Sequence, residues 1–152
     1  MIPETILKEK YNLELNAPSE PEGMYTTVVQ TGELLYVCGH TPKLNGNLVS
    51  WGRLGAEVTL EEGQYAARIA AVNCLEALKN YLGELNKIKK FIQVVGFVRS
   101  TEDFTDQPLV INGASSLFLE VFGERGKHTR MAIGTNQLPG GASVEVMCIV
   151  QV

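Results

Sequence analysis

The 23 residues 60–82, "LEEGQYAARIAAVNCLEALKNYL", together with the strand that follows them, restrict the fold most. Thr59 stands where an N-cap is needed, and Glu62 completes a Thr-x-x-Glu capping box. Gly83 supplies the C-terminal stop. Ala66, Ala67, Ala70, Ala71, Cys74, Leu75 and Leu78 recur at helical spacing and make a narrow, alanine-rich stripe that lets a helix approach a sheet closely. Residues 91–98, "FIQVVGFV", are then apolar on both alternating faces, which predicts a strand covered on both sides. A long helix feeding such a strand implies a β-α-β unit, and its crossover is right-handed.

The remaining elements build around that unit. A short helix is expected over 3–11, opening at Pro3, and a loop over 16–23, "NAPSEPEG". "MYTTVVQ" and "LLYVCGH" flank "TGE" and read as a hairpin, and Asn45-Gly46 marks a further turn. A second helix is expected to start at Asp106, with Pro108 in its first turn, and to end at Gly123. Strands follow at about 130–135 and 142–151. The order β-β-α-β-α-β-β describes an α+β fold, and 152 residues suit a single domain with a short N-terminal extension over about 1–21. Two substantial helices cover one face of such a sheet. In the last strand Val144, Val146, Cys148 and Val150 point one way and Glu145, Met147 and Ile149 the other. If the first set meets the helices, the second is left as an apolar patch, the mark of a subunit interface, so a homo-oligomer is expected.

Composition excludes several classes of function. Hydrophobic residues are 45% and charged ones 20%, as in soluble globular proteins, and no run approaches the ~18–20 apolar residues of a membrane span. The first residues carry charges throughout and lack the pattern of a signal peptide, so a cytoplasmic location is expected. Net charge is −4, and the one basic cluster, "NKIKK" at 86–90, looks like a solvated approach to a strand rather than a phosphate-binding surface. Cys38, Cys74 and Cys148 lie far apart in apolar contexts, which suggests buried free thiols. With only His40 and His128 besides, no metal-ligand spacing is found and no metal site is expected. There is no dinucleotide or phosphate-binding glycine loop and no nucleophile elbow, and Ser115-Ser116 has no histidine at a suggestive spacing. No cofactor is expected; electrostatic binding of a small anion, with water as co-reactant, is what these absences leave.

Five positions stand out for chemistry. Arg130 heads an apolar strand: it is either a surface residue or a fork for bidentate carboxylate binding at a water-poor interface. Glu145 sits inside the last strand: it is either half of an ion pair, with Arg130 itself as a partner, or a carboxylate that orients or activates water. Gly39 ends "YVCGHTP" and leaves backbone accessible to a ligand, or simply allows a bend. His40 beside it is an acid or base only in reach of a ligand. Asn112 precedes Gly113 in the second helix, where both are poor helix formers, and either points its amide into a cleft or caps a neighbouring loop.

The pattern Arg130-x-x-Ile133-x(4)-Leu138-Pro139-x(4)-Val144-Glu145-Val146 resembles that of the RidA/YjgF family, whose older names include an endoribonuclease label. "GMYTTVVQTGELLYVCGHTP" and "VINGASSLFLEVF" are similar to its N-terminal segment and second helix, and the likeness runs from about residue 22 to the end. The resemblance implies a chorismate-mutase-like fold, a homotrimer, and ligand clefts between subunits. It implies that Arg130 grips the carboxylate of a 2-imino or 2-enamino acid, that Glu145 lies near the attacking water, and that Tyr25, Asn112 and the backbone at Gly39 line the cleft. The activity implied is hydrolysis of such compounds to 2-keto acids and ammonia. A non-catalytic, regulatory binder of small carboxylates would use the same arginine, and the acidic balance counts against endoribonuclease action. The chain departs from many deaminase members at Ala132, where they carry a cysteine, and its approach to the first long helix is like that of a longer branch.

Overall fold

The protein is described by a computed structural model covering residues 2–18 and 20–152. Met1 and Ser19 lie outside the described residues, and with Ser19 so does part of the loop expected over 16–23. The chain begins with α1 (Pro3–Tyr11), followed by β1 (Val28–Thr31) and β2 (Leu34–His40). A small hairpin, β3 (Lys43–Leu44) and β4 (Asn47–Leu48), precedes α2 (Leu60–Leu82). Then come β5 (Lys90–Arg99), α3 (Gln107–Phe122), β6 (Thr129–Thr135) and β7 (Val144–Gln151). The five long strands form one mixed sheet in the order β1-β2-β7-β5-β6, with only the β5–β6 pair parallel. This is the expected α+β fold with two main helices on one face. No helix among the described residues is long and apolar enough to cross a membrane.

Local chemistry accounts for the elements. The Thr59 hydroxyl accepts from the Glu62 amide at 3.2 Å while the Glu62 carboxylate accepts from the Thr59 amide at 3.0 Å, the reciprocal box read in the sequence. Asp106 occupies the N-cap position of α3 but makes no side-chain capping bond there. The first strand begins at Val28 rather than near Met24, since the residues before it have no partner strand. Asn45 and Gly46 both adopt positive φ in the β3–β4 turn, as the tight hairpin requires.

The alanine stripe of α2 is fully buried against the sheet and α3. Gly113 explains itself at the helix–helix contact: a Cβ there would lie 2.0 Å from the Gln64 carbonyl oxygen of α2. Phe91 of β5 stacks on Phe118 at 4.5 Å and meets Phe122 at 5.0 Å between sheet and α3. On β7, Val144, Val146, Cys148 and Val150 are buried on the helix side, whereas Glu145, Met147 and Ile149 are half-buried on the other. That open face carries an apolar band: Ile149 is paired with Tyr36, which is paired with Val29, and Met147 is paired through Val95 with Met131. Val29, Tyr36, Met131 and Ile133 are all exposed.

Candidate functional site

The sequence-selected residues gather in two places. The first is a cavity of about 150 Å³ lined by Tyr25, Cys38, Gly39, His40, Lys43, Glu76, Pro139 and Glu145, among others. Its floor is made by an irregularity in β2. Val37 pairs with Cys148 and His40 with Val146, so one extra residue of β2 is accommodated between them. Such a bulge bends the strand and re-aims its side chains. Gly39 falls in it and passes beneath Glu145: a Cβ at residue 39 would lie 2.5 Å from Glu145 Oε1. Glycine is therefore what allows the carboxylate to rest over the β2 backbone. Glu145 has no hydrogen bond or ion pair with another described residue, and burial pushes its carboxyl pKa above the usual value.

His40 closes the inner wall. Its Nδ1 donates to the Cys38 carbonyl at 2.9 Å, and burial lowers its pKa, so it is neutral near pH 7. The Cys74 sulfur lies 3.7 Å from the same nitrogen and donates to the Val146 carbonyl at 3.3 Å. Cys74 and Cys148 are buried free thiols as expected, but Cys38 is only half-buried because the bulge turns it toward the cavity. Asn73 of α2 donates to the carbonyls of Thr41 and Lys43, both at 3.0 Å, and so fixes the chain leaving β2.

The second place is at the β6 edge. Arg130 Nη1 donates to Asn112 Oδ1 at 2.7 Å and to Ser115 Oγ at 3.2 Å. Asn112 thus points its amide at the arginine rather than capping a loop, and it remains exposed. Ser115 Oγ also meets His128 Nε2 at 2.9 Å, and His128 Nδ1 donates to the Gly126 carbonyl at 2.6 Å. Ala132, two residues along the same face of β6, packs against the core.

An ion pair between Arg130 and Glu145 does not form within the chain. Arg130 is in register with Val94, and Val94 with Cys148, both on the helix face. Glu145 is one of the alternate residues of β7 that face the other way, opposite Phe97. Side chains in a strand alternate with a period of two, so the two groups are on opposite faces of the sheet.

The Ser115–His128 contact escaped the sequence reading, which sought a histidine near Ser115 along the chain. A signal existed: Asn112 and Ser115 are three apart on one helix face, and His128, the residue before β6, is two from Arg130 at the extended spacing that points both the same way. Once α3 lies over β6, those pairs meet.

Comparisons with known proteins agree with this fold. The family described as "YjgF/chorismate mutase-like, putative endoribonuclease" matches residues 10–152. Protein TCP17 of Trypanosoma cruzi is 40% identical over 144 residues, covering 94% of this chain and 90% of that one. The crystal structure of Atu1372 from Agrobacterium tumefaciens, a protein of unknown function, is 40% identical with a TM-score of 0.92, over 99% of this chain and 93% of that chain. A "putative endoribonuclease" from Shewanella oneidensis MR-1 is 33% identical with a TM-score of 0.96, over the whole of both chains.

Proposed function

We propose that this chain, which belongs to the YjgF/chorismate mutase-like family, hydrolyses small 2-imino and 2-enamino acids to 2-keto acids and ammonia in clefts between the subunits of a homotrimer. Family membership supports small-molecule binding or deamination in general. The observation that carries the specific reading is how Arg130 is held. Both protons of Nη1 are engaged by Asn112 and Ser115, and no other described residue accepts from Nε or Nη2. The Nε–Nη2 edge is left as a planar two-proton fork, the geometry that matches a carboxylate.

The second group, Glu145, lies with Tyr25 and Gly39 around the cavity near the β1–β2 side of the sheet. Arg130 lies on β6, at the opposite edge. A ring of copies, each setting its β6 edge beside the next copy's β1–β2 edge, joins the two halves and covers the apolar band of the open face. An uncovered apolar band of this kind is the mark of an interaction surface.

The chemistry then needs no metal or covalent nucleophile. A 2-enamino acid first takes a proton at C3 to become the 2-imino acid. Arg130 and the Asn112 amide hold its carboxylate. Glu145, ionised, takes a proton from water as the oxygen adds to C2 and the C=N π electrons move to nitrogen. Glu145 passes that proton to the nitrogen, then takes the hydroxyl proton as the C–N bond breaks and the ketone forms, and hands it to the departing ammonia, which leaves as ammonium. The raised pKa of Glu145 makes it a stronger base than an ordinary carboxylate. Holding water and substrate in register contributes several kcal/mol, and the base a further ~10²–10⁴-fold.

The test generates 2-aminoacrylate enzymatically, traps it with semicarbazide, and measures how far the protein suppresses the semicarbazone. Suppression is expected for the wild type and its loss for Arg130→Ala. Glu145→Gln is expected to keep 2-ketobutyrate binding while losing turnover. Unchanged trapping with intact 2-ketobutyrate binding would make the protein a carboxylate binder instead, and a monomer in solution would remove the cleft altogether.

A further inference from the structure

We infer that Ser115 and His128 form a hydrogen-bond relay that positions Arg130, presenting its Nε–Nη2 fork to a carboxylate, and that a proton on His128 undoes the relay. The functional consequence rests on the carboxylate-clamp reading above; the relay itself rests on donor and acceptor directions.

Those directions are fixed from one end. The Gly126 carbonyl can only accept, so His128 Nδ1 carries a proton. In the neutral ring Nε2 is then an acceptor, and the Ser115 hydroxyl must donate to it. With its proton committed, Ser115 Oγ offers lone pairs, and Arg130 Nη1 donates to it at 3.2 Å. Arg130, Ser115 and His128 donate in turn, the last to the Gly126 carbonyl, and every link is used. The elements packed against the ring are few. Phe118 of α3 meets it edge-on at 6.2 Å, Ser115 comes from the same helix, and Arg130 is the charged group that acts on it.

A second proton on His128 falls on Nε2. That nitrogen becomes a donor, so Ser115 Oγ is faced by two cationic donors and its own proton loses its acceptor. Burial and the Arg130 charge both oppose this state and lower the His128 pKa. Asn112 remains as a single tether, about which the guanidinium can turn. A Ser–His hydrolytic pair is the wrong description of the same contact: Ser115 is only 8% exposed and its oxygen is already engaged by Arg130. His128 and Ser115 are positioning residues, acting on the ligand only through Arg130.

The variants separate the links. His128→Gln keeps an acceptor near the Nε2 position but cannot titrate. His128→Asn keeps a donor for Gly126 but offers Ser115 nothing. Ser115→Ala removes the middle link. Affinity for 2-ketobutyrate is measured by calorimetry between pH 8 and pH 5 on the full chain. The wild type is expected to weaken roughly 3- to 10-fold as His128 protonates, the cost of re-ordering one long side chain. His128→Gln should bind like the wild type at pH 8 with a flatter pH profile, while Ser115→Ala and His128→Asn should show the weaker value at every pH. In the trapping assay the same loss should fall on KM, with kcat kept. A separate readout needs no ligand. Nitrogen NMR should find His128 as the Nδ1–H tautomer with a pKa below the usual ~6.5, and Arg130 side-chain rotation slow in the wild type and fast in Ser115→Ala. An Nε2–H tautomer, or equal Arg130 mobility in all variants, would overturn the relay. Correct NMR behaviour without any 2-ketobutyrate binding would uphold the relay and defeat the clamp reading.

Discussion

Replacing Gly113 by alanine sets two physical effects against each other and shows which one the fold obeys. In an exposed helix interior the change is favourable by about 1 kcal/mol, because glycine loses more backbone entropy on folding. Here the new methyl would be 2.0 Å from the Gln64 carbonyl oxygen, against an ordinary contact beginning at 3.4 Å. The obstacle is backbone, so no rotamer relieves it, and α2 and α3 must separate by about 1.4 Å where they now touch. Overpacking of this kind costs about 3 kcal/mol. The net is a loss of about 2 kcal/mol, and at ~2–4 °C per kcal/mol for a chain of this size Tm falls by about 4–8 °C. The fold should be retained, since the strain is confined to one crossing. Calorimetric melting of both proteins at equal concentration measures the difference. A variant that melts at the wild-type temperature or above would refute the close helix contact, and with it the explanation of why a glycine sits beside Asn112.

Two further outcomes are expected. In Gly39→Ala the added methyl displaces the Glu145 carboxylate by about 0.9 Å from its present 2.5 Å approach. The carboxylate can swing aside, so Tm should change little, while the proposed deaminase turnover should fall about 10²-fold from misplacement; unchanged turnover would mean that β2 does not position Glu145. Iodoacetamide should label Cys38 alone in the native protein, and more slowly at pH 8 than a free thiol, since burial and the nearby Glu145 charge raise its pKa. Mass spectrometry after brief exposure checks this, and early modification of Cys74 or Cys148 would contradict their burial.

Much of this was readable from the residues alone because the relevant signals were local. The capping box at Thr59, the alanine stripe and the two-sided apolar character of β5 each state their own environment. The alternation in β7 revealed an uncovered sheet face before any strand order was known. The site was less legible. Tyr25, Gly39 and Glu145 meet because a bulge shifts β2 against β7 by one residue, and so close to the end of β2 too few alternating residues follow for the shift to be read. Arg130 and Glu145 occupy similar-looking strands, yet which face each one takes depends on the registers of β6 and β7 with β5. The Ser115–His128 contact depends on the tilt of α3 across the sheet, a tertiary fact with no counterpart in local spacing.

The strand order has a consequence for how the chain is made. β7 lies in the middle of the sheet, between β2 and β5, yet it is made after the other four strands of that sheet. Until it emerges from the ribosome, the β1–β2 hairpin and the β5–α3–β6 unit have no strand between them, and the facing edges of β2 and β5 wait for the same eight residues. A nascent chain halted before Val144 therefore presents a slot shaped for a strand, open to any extended segment that reaches it first.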